Sequence, residues 1–309
     1  MRLCNISDTP FSLEEVVESF ISSKRAQGVT LRTLTDYSKF FEKFISFSHN
    51  SMDIVQLSSD ALNYLASIPH TSPARYNHPY QYLSAFFNWC VRQNILPHNP
   101  LILNGISKKR DDGNVAPAPI EHIHALIKVA DRKTYTGLRN YTIILLMIDT
   151  GVRTSELVRL KNSDFDQSSK SLVIRKSVAK TRTQRIVYLS EKVCSVLSRF
   201  IRIKPQAWSD YLFPSRDGLQ LSTNALSREF RKLSAAAGVK VTPYQLRHSF
   251  ATYFVSQGGN IFALQNLMGH SDIRMTKRYT ELSDVIKKEE HDKHTPLLLI
   301  EKNIRLINL

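Results

Sequence analysis

An arginine, two histidines and two tyrosines, side chains that can bind an anion or act as a nucleophile, lie close together late in the chain. Between Tyr244 and Tyr279 the sequence places Arg247, His248 and His270. Guanidinium and imidazole groups donate hydrogen bonds that stabilise negative charge on oxygen atoms, and a tyrosine hydroxyl can act as a nucleophile. Each of these residue types is common in ordinary helices, so a functional site is indicated by their order and spacing and not by any one residue.

Three short helices are predicted to position these side chains. The first begins at Thr242, a candidate N-cap, with Pro243 at the first helical position. A second helix over residues 262–268 ends at a glycine, which places His270 on a tight turn directly after a helix end. A third helix follows and carries Tyr279.

A further pair of candidates lies earlier, in the segment TGVRTSELVRL, residues 150–160. A glycine ends the preceding helix, and Arg153 stands just ahead of the next one, which Thr154 or Ser155 could cap. Glu156 is three residues past the arginine, within reach of the same helix N-terminus. The segment therefore predicts a helix-turn-helix junction that holds an arginine beside an acid.

Residues 171–189 alternate in polarity and are rich in β-branched side chains, so we expect an antiparallel hairpin. Its strands cover residues 171–175 and 185–189, and its turn is basic and polar. Lys176 and Lys180 both lie in that turn.

Taken together, the motifs RHSFAT, LMGH, a tyrosine nine residues beyond that histidine, and TGVRTSEL resemble those of the tyrosine recombinases, the lambda-integrase and Xer-like family. The resemblance is close over residues 120–285 and looser over 11–103. It implies that Arg153 and Arg247 clamp the scissile phosphate, that His270 adds a donor and that Tyr279 is the nucleophile.

The resemblance also assigns supporting roles. It favours Lys180 over Lys176 as the general acid, because Lys180 precedes Arg185 by five residues, the spacing of the family's hairpin lysine. Glu156 and His248 would support the catalytic residues.

Tyr244 departs from the family's pattern, which most often has histidine three residues before the second arginine. A tyrosine there can still contact a phosphate, but its ordinary pKa near 10 makes it a poor proton acceptor at neutral pH. The other five catalytic positions are in place, so we expect an active enzyme.

The function implied by the resemblance is site-specific recombination, in which DNA is cut and rejoined through a 3′-phosphotyrosyl link during integration, excision or resolution. The expected partners are double-stranded DNA sites and three further protomers, as a homotetramer on two duplexes, with accessory DNA-binding proteins compatible with this scheme. No metal-ligand pattern is visible in the sequence, and no cofactor is expected.

Two alternatives remain open from the sequence. A non-catalytic, architectural DNA-binding protein with the same fold is favoured by Tyr244 and opposed by Tyr279 and Lys180. A type IB topoisomerase that only relaxes DNA would share the chemistry. The helical first domain and the LMGH motif fit the recombinases better.

Composition agrees with a polyanionic partner. The 309 residues carry a formal net charge of +15 and a pI near 9.7, which favours nucleic acid or an anionic membrane surface. The longest apolar run, residues 141–148, is too short to span a bilayer, and the first ten residues lack the layout of a signal peptide. Three scattered cysteines indicate a reducing compartment. We expect a cytoplasmic, nucleoid-associated prokaryotic protein without a membrane partner.

The predicted fold class is mainly α with a small antiparallel β-sheet, in a two-domain DNA clamp. Amphipathic helices predict an N-terminal helical bundle, which resembles the family's SAM-like core-binding domain. A segment rich in charge, glycine and proline predicts a linker. The apolar C-terminal tail is expected either to fold onto its own domain or to dock on a neighbouring protomer. The predicted ranges are 1–106 for the core-binding domain, 107–119 for the linker, 120–290 for the catalytic domain and 291–309 for the tail.

Overall fold

The structure is a computed structural model, and it describes residues 12–69, 71–110, 116–179, 181, 183–205, 207–270, 272 and 274–277. The chain separates into two compact units, Met1–Gly113 and Asn114–Leu309. In the described ranges most elements are helices and the one small sheet is antiparallel, which confirms the predicted fold class. Within the described ranges, no helix combines the length and apolar character that a bilayer crossing requires.

The first unit is built from helices whose starts are fixed by polar side chains. A serine, threonine, aspartate or asparagine precedes each helix and accepts a hydrogen bond from a backbone N–H of its first turn, which satisfies one of the donors that a helix start leaves open. The helices are α1 (Leu13–Ala26), α2 (Leu31–Phe47), α3 (Ile54–Ser67), α4 (Pro73–Arg92) and the short α5 (Pro100–Leu103).

An aromatic cluster forms the centre of this unit. Phe20 is fully buried and contacts Tyr37, Phe86 and Trp89 edge-on, with ring centroids 5.2 to 5.6 Å apart. Edge-to-face geometry brings the positive edge of one ring to the negative face of another, and it stabilises the pair beyond the burial of its surface. The apolar stripes of α1, α2 and α4 therefore meet in one core.

The second unit surrounds a buried helix. Most residues of the helix Tyr135–Thr150 are buried, and it packs against two later helices. A helix that is enclosed on most sides must be apolar all round, which explains the long apolar run at 141–148. The elements of this unit are α6 (Ile120–Val129), α7 (Tyr135–Thr150), α8 (Thr154–Leu157), a 3₁₀ turn (Asn162–Asp164), β1 (Phe165–Asp166), β2 (Ser171–Ile174), β3 (Arg185–Tyr188), α9 (Glu191–Ile203), α10 (Thr223–Ala236), α11 (Pro243–Ser256), α12 (Ile261–Met268) and α13 (Arg274–Lys277).

The predicted hairpin is confirmed and gains a third strand. The sheet order is β1-β2-β3, with Leu172 opposite Val187 and Ile174 opposite Arg185. The added strand β1 pairs with β2 through only two residues. A two-residue strand is too short to show a period of two, so the sequence pattern did not reveal it.

Two glycines end the helices that border the candidate site. Gly151 and Gly269 close α7 and α12 in the left-handed conformation, with φ of 61° and 60°, which confirms both predicted helix ends. A Cβ at Gly151 would lie 2.3 Å from Cδ1 of Phe250. Glycine is therefore required at Gly151 by backbone conformation and by space alike.

Candidate active site

Arg153 is held at the start of α8 by a single carboxylate. The backbone N–H of Arg153 donates to Oε2 of Glu156 at 3.2 Å, and its Nη1 donates to Oε1 at 3.1 Å. Its Nη2 donates to the carbonyl oxygen of Gly269 at 3.0 Å. The expected capping of α8 by Thr154 or Ser155 is wrong: Arg153 is itself the N-cap residue, and the N3 glutamate reaches back to its N–H.

Arg247 lies on α11 and is buried, with 8% of its surface exposed. Its Nη1 donates to the carbonyl oxygen of Gly151, and its Nη2 donates to that of Met268 at 2.9 Å. The helix that carries it begins with a reciprocal cap, in which Thr242 and Gln245 each bind the other's backbone N–H. A rigid helix start therefore fixes the arginine between two other helix ends.

His270 lies on the turn after α12, as the sequence predicted, and is buried between two partners. Its Nε2 is 3.1 Å from Nη2 of Arg247, and its Nδ1 is 2.9 Å from Oγ1 of Thr276. A guanidinium nitrogen can only donate, so Nε2 is the acceptor in this contact. The histidine ring therefore helps to orient the guanidinium of Arg247.

Arg153 and Arg247 are both held by carbonyl groups at the C-terminal ends of helices. The last carbonyl groups of a helix lack intrahelical donors and carry the negative end of the helix dipole. Here the C-terminal carbonyls of α7 and α12 accept from the guanidinium groups, and adjacent carbonyls, those of Met268 and Gly269, bind Arg247 and Arg153 respectively. One turn therefore positions both cations.

Arg185 was not assigned a role from the sequence, yet it joins three parts of the site. From the first position of β3 its Nε donates to the carbonyl oxygen of Leu267 at 2.8 Å. Its Nη1 and Nη2 donate to the two oxygens of Glu156 at 3.1 and 2.6 Å. The signal was available, since residues 185 and 187 share one face of the strand and Val187 is buried. An inward-facing arginine requires an acidic partner.

Glu156 is the centre of this network. Its residue surface is 0% exposed, and its carboxylate accepts from Arg153 and Arg185. Burial alone would raise the pKa of the Glu156 carboxyl, but the hydrogen bonds from Arg185 and the charges of Arg185 and Arg153 hold this pKa below its usual value. The carboxylate therefore stays ionised and fixes both cations.

We expect Glu156→Gln to destabilise the protein in a pH-dependent manner. A carboxyl whose pKa is depressed by folding contributes stability above its unfolded pKa of about 4.3, and this contribution is lost as the pH falls through the lower folded pKa. Wild type should exceed the variant by about 2 to 3 kcal/mol in free energy of unfolding near pH 7, and the difference should shrink below about pH 4. Urea denaturation across this pH range measures it.

The matched control is Glu191→Gln, which removes a carboxylate of an exposed ion pair with Lys170. Because water screens such a pair, this variant should follow the wild-type pH profile. A Glu156→Gln difference that stays constant from pH 7 to pH 3 would contradict the assigned ionisation.

The remaining predicted site residues fall into two groups. Tyr244 lies on the first turn of α11 with 50% of its surface exposed, and His248 is half-buried next to Arg247. Lys180 and Tyr279 lie outside the described residues. Within the described part of the chain, the structure thus brings Arg153, Glu156, Arg247 and His270 together, and it adds Arg185.

Comparison with known protein families gives a match over most of the second unit. Residues 120–285 match the model of the phage integrase family. Among curated proteins, a tyrosine recombinase XerC of Chlamydia caviae is 27% identical over 223 residues, which cover 69% of each chain. A tyrosine recombinase XerD of Listeria monocytogenes is 23% identical over 299 residues, covering 92% of this chain and 99% of the relative.

Solved structures share the fold. The Tn1549 transposon integrase in complex with transposon right end DNA has a TM-score of 0.75 and 21% identity, with 90% of this chain and 98% of that chain covered. A lambda integrase tetramer bound to a Holliday junction has a TM-score of 0.71 and 17% identity, with 90% and 81% covered. At these identities the similarity establishes the architecture alone.

Proposed function

Because the chain belongs to the phage integrase family, we propose that it is a site-specific tyrosine recombinase that cuts and rejoins DNA through a 3′-phosphotyrosyl intermediate. The observation that carries this proposal is the attachment of Arg153 and Arg247 to adjacent carbonyls of one turn, beside His270. Two fixed guanidinium groups next to each other suit a phosphodiester, whose non-bridging oxygens gain charge in the transition state.

The proposed first step uses Tyr279 and Lys180, two predicted site residues that lie outside the described part of the chain. The phenolic oxygen of Tyr279 attacks the phosphorus and loses its proton to water, while the bond from phosphorus to the 5′ oxygen breaks. Lys180 donates a proton to that leaving oxygen. Arg153 and Arg247 hold the non-bridging oxygens throughout, and Tyr244 contributes a further phosphate contact.

The proposed second step reverses the first on a partner strand. A 5′-hydroxyl group attacks the phosphotyrosyl link, which restores the phosphodiester and the free tyrosine. The link retains the energy of the original bond, so we propose that the reaction requires neither a metal ion nor a nucleotide.

Strand exchange of this kind needs two duplexes and four active sites. We propose that the core-binding domain, residues 1–106, and the catalytic domain, residues 120–290, each bind DNA, joined by residues 107–119. The lambda integrase tetramer on a Holliday junction is a precedent for the assembly. In the proposed tetramer, residues 291–309 dock on the neighbouring protomer and couple the sites.

Covalent trapping tests the proposal. Nicked suicide duplexes that tile the DNA flanking the gene are incubated with the protein and separated under denaturing conditions. We expect a protein-DNA adduct on the duplexes that contain the target site, and digestion of the adduct should recover a nucleotide-linked peptide containing Tyr279.

Tyr279→Phe is the matched control, since it removes one hydroxyl group. An adduct that persists in Tyr279→Phe would assign the nucleophile to another residue. Tight binding of specific duplexes without any adduct would instead support an architectural DNA-binding protein.

A further inference from the structure

The chain remains attached to the first unit for several residues beyond α5. Ile106 packs against the core of this unit, and its N–H donates to the carbonyl oxygen of Leu101 at 2.8 Å. Residues 107–110, with the sequence SKKR, follow directly and are exposed. The sequence predicted an exposed, semi-extended linker from residue 107.

Asn77 fixes the backbone of this segment. Its side-chain amide nitrogen donates to the carbonyl oxygen of Lys109 at 2.9 Å, and its Oδ1 accepts from the N–H of Lys109 at 2.9 Å. Asn77 is itself 8% exposed, so both bonds form at a mostly buried side chain of α4. Two parallel bonds to one residue hold the direction of the chain as well as its position.

The side chain of Lys109 is placed as well. Its Nζ lies 4.4 Å from the centroid of the Tyr76 ring, and Tyr76 is buried beside Asn77 on α4. A cation over an aromatic face is attracted by the ring quadrupole. Two neighbouring residues of α4 therefore hold the backbone and the ammonium group of Lys109.

The charge of the first unit makes this segment distinctive. Residues 12–106 contain seven Lys and Arg and seven Asp and Glu, so this part of the chain has no net charge. Residues 107–110 add Lys108, Lys109 and Arg110 and no acid. All of the net positive charge of residues 12–110 thus lies in the segment that Asn77 fixes.

We propose that residues 107–110 form a preorganised arm that binds the phosphate backbone of duplex DNA, and that Asn77 is its positioning residue. The choice of partner rests on the proposed function, whereas the fixation of the arm rests on the structure. Three cations on a fixed segment bind phosphates without first losing the conformational entropy of a free linker.

Trypsin digestion tests the fixation without DNA, because the peptide bonds after Lys108, Lys109 and Arg110 are trypsin sites. Proteolysis requires the backbone to leave its partners. Loss of both bonds in Asn77→Ala should accelerate cleavage at these bonds by about tenfold. Asn77→Asp, which keeps the acceptor but not the donor, should give an intermediate rate.

The matched control is Asn63→Ala on α3, since the side chain of Asn63 is exposed and donates to Ser59 of the same helix. It should leave these cleavage rates unchanged. Equal rates in wild type and Asn77→Ala would overturn the fixation.

DNA binding tests the role of the arm. The slope of log affinity against log salt concentration is negative for phosphate contacts. Replacing Lys108, Lys109 and Arg110 with glutamine should reduce the magnitude of this slope by about 2 to 3. Asn77→Ala keeps every charge and should weaken duplex binding by about fivefold. In the glutamine background Asn77→Ala should have no further effect on affinity.

A general loss of stability would act equally in both backgrounds, so an Asn77→Ala effect of the same size in each would overturn the role of Asn77. An unchanged salt slope in the glutamine variant would overturn the DNA contact, even where the trypsin result supports the fixation. Failure of covalent trapping would contradict the proposed function alone, since the trypsin result does not depend on chemistry.

Discussion

Arg247→Lys should reduce the rate of covalent adduct formation by about 10² to 10³-fold while duplex binding changes by only a few-fold. The charge is retained, but a lysine ammonium cannot donate from two fixed, coplanar nitrogens to the carbonyls of Gly151 and Met268. A cation that is not held in place loses much of its stabilisation of the transition state, and loss of one preorganised donor costs a rate factor of this size.

Single-turnover cleavage of a suicide duplex at saturating protein measures this effect, because the rate is then independent of affinity. Arg228→Lys on α10 is the matched control, since Arg228 is exposed and lies on a helix that supplies none of the site residues. It should cleave at the wild-type rate. A fall in affinity with an unchanged rate of cleavage would assign Arg247 to binding and not to the transition state.

The helix ends explain how much of the site could be predicted. Glycine after a periodic apolar segment predicts a helix end, and both Gly151 and Gly269 close helices as expected. The sequence pattern therefore gave the turn on which His270 lies. It could not give the partners of the exposed carbonyls, because these come from segments far away in the chain.

Partners distant in sequence also explain what was missed. Arg185 and Glu156 are separated by twenty-nine residues, and Asn77 and Lys109 by thirty-two. Secondary-structure propensity and hydrophobic periodicity describe neighbours within one helix or strand, so they do not predict contacts between such distant residues. The partner of His270 Nε2 was unpredictable for a related reason, since the guanidinium of Arg247 reaches it from another helix.

The fixed segment at 107–110 shows the same limit at a domain boundary. Charge, glycine and proline predict exposed chain, and residues 107–110 are exposed, whereas Ala118 in the same predicted linker is buried. They do not show whether exposed chain is also free to move, because that depends on what its backbone bonds to. Here a side-chain amide on α4 both donates to and accepts from the backbone of Lys109.

Arg185→Met should destabilise the protein by about 3 to 5 kcal/mol, the cost of leaving one partner of a buried ion pair behind. Glu156 would keep Arg153 as its remaining cationic partner, but it would lose the two hydrogen bonds that lower its pKa most. The methionine fills a similar volume, so the loss reflects charge and hydrogen bonding rather than a cavity. Chemical denaturation measures it, and Arg199→Met on the exposed face of α9 is the control, expected within about 0.5 kcal/mol of wild type.

A double-mutant cycle with Glu156→Gln separates this ion pair from general damage. Removing the negative charge first should make the later loss of Arg185 less costly, by about 2 kcal/mol, because residues in one network are not additive. The single variant Arg185→Met should also lose cleavage activity under conditions where it remains folded, since Arg185 fixes the carboxylate that positions Arg153. If the two stability changes add and the Arg185→Met variant keeps full cleavage activity, Arg185 does not position the site. Arg153 would then be held by the carbonyl oxygen of Gly269 without a contribution from the sheet.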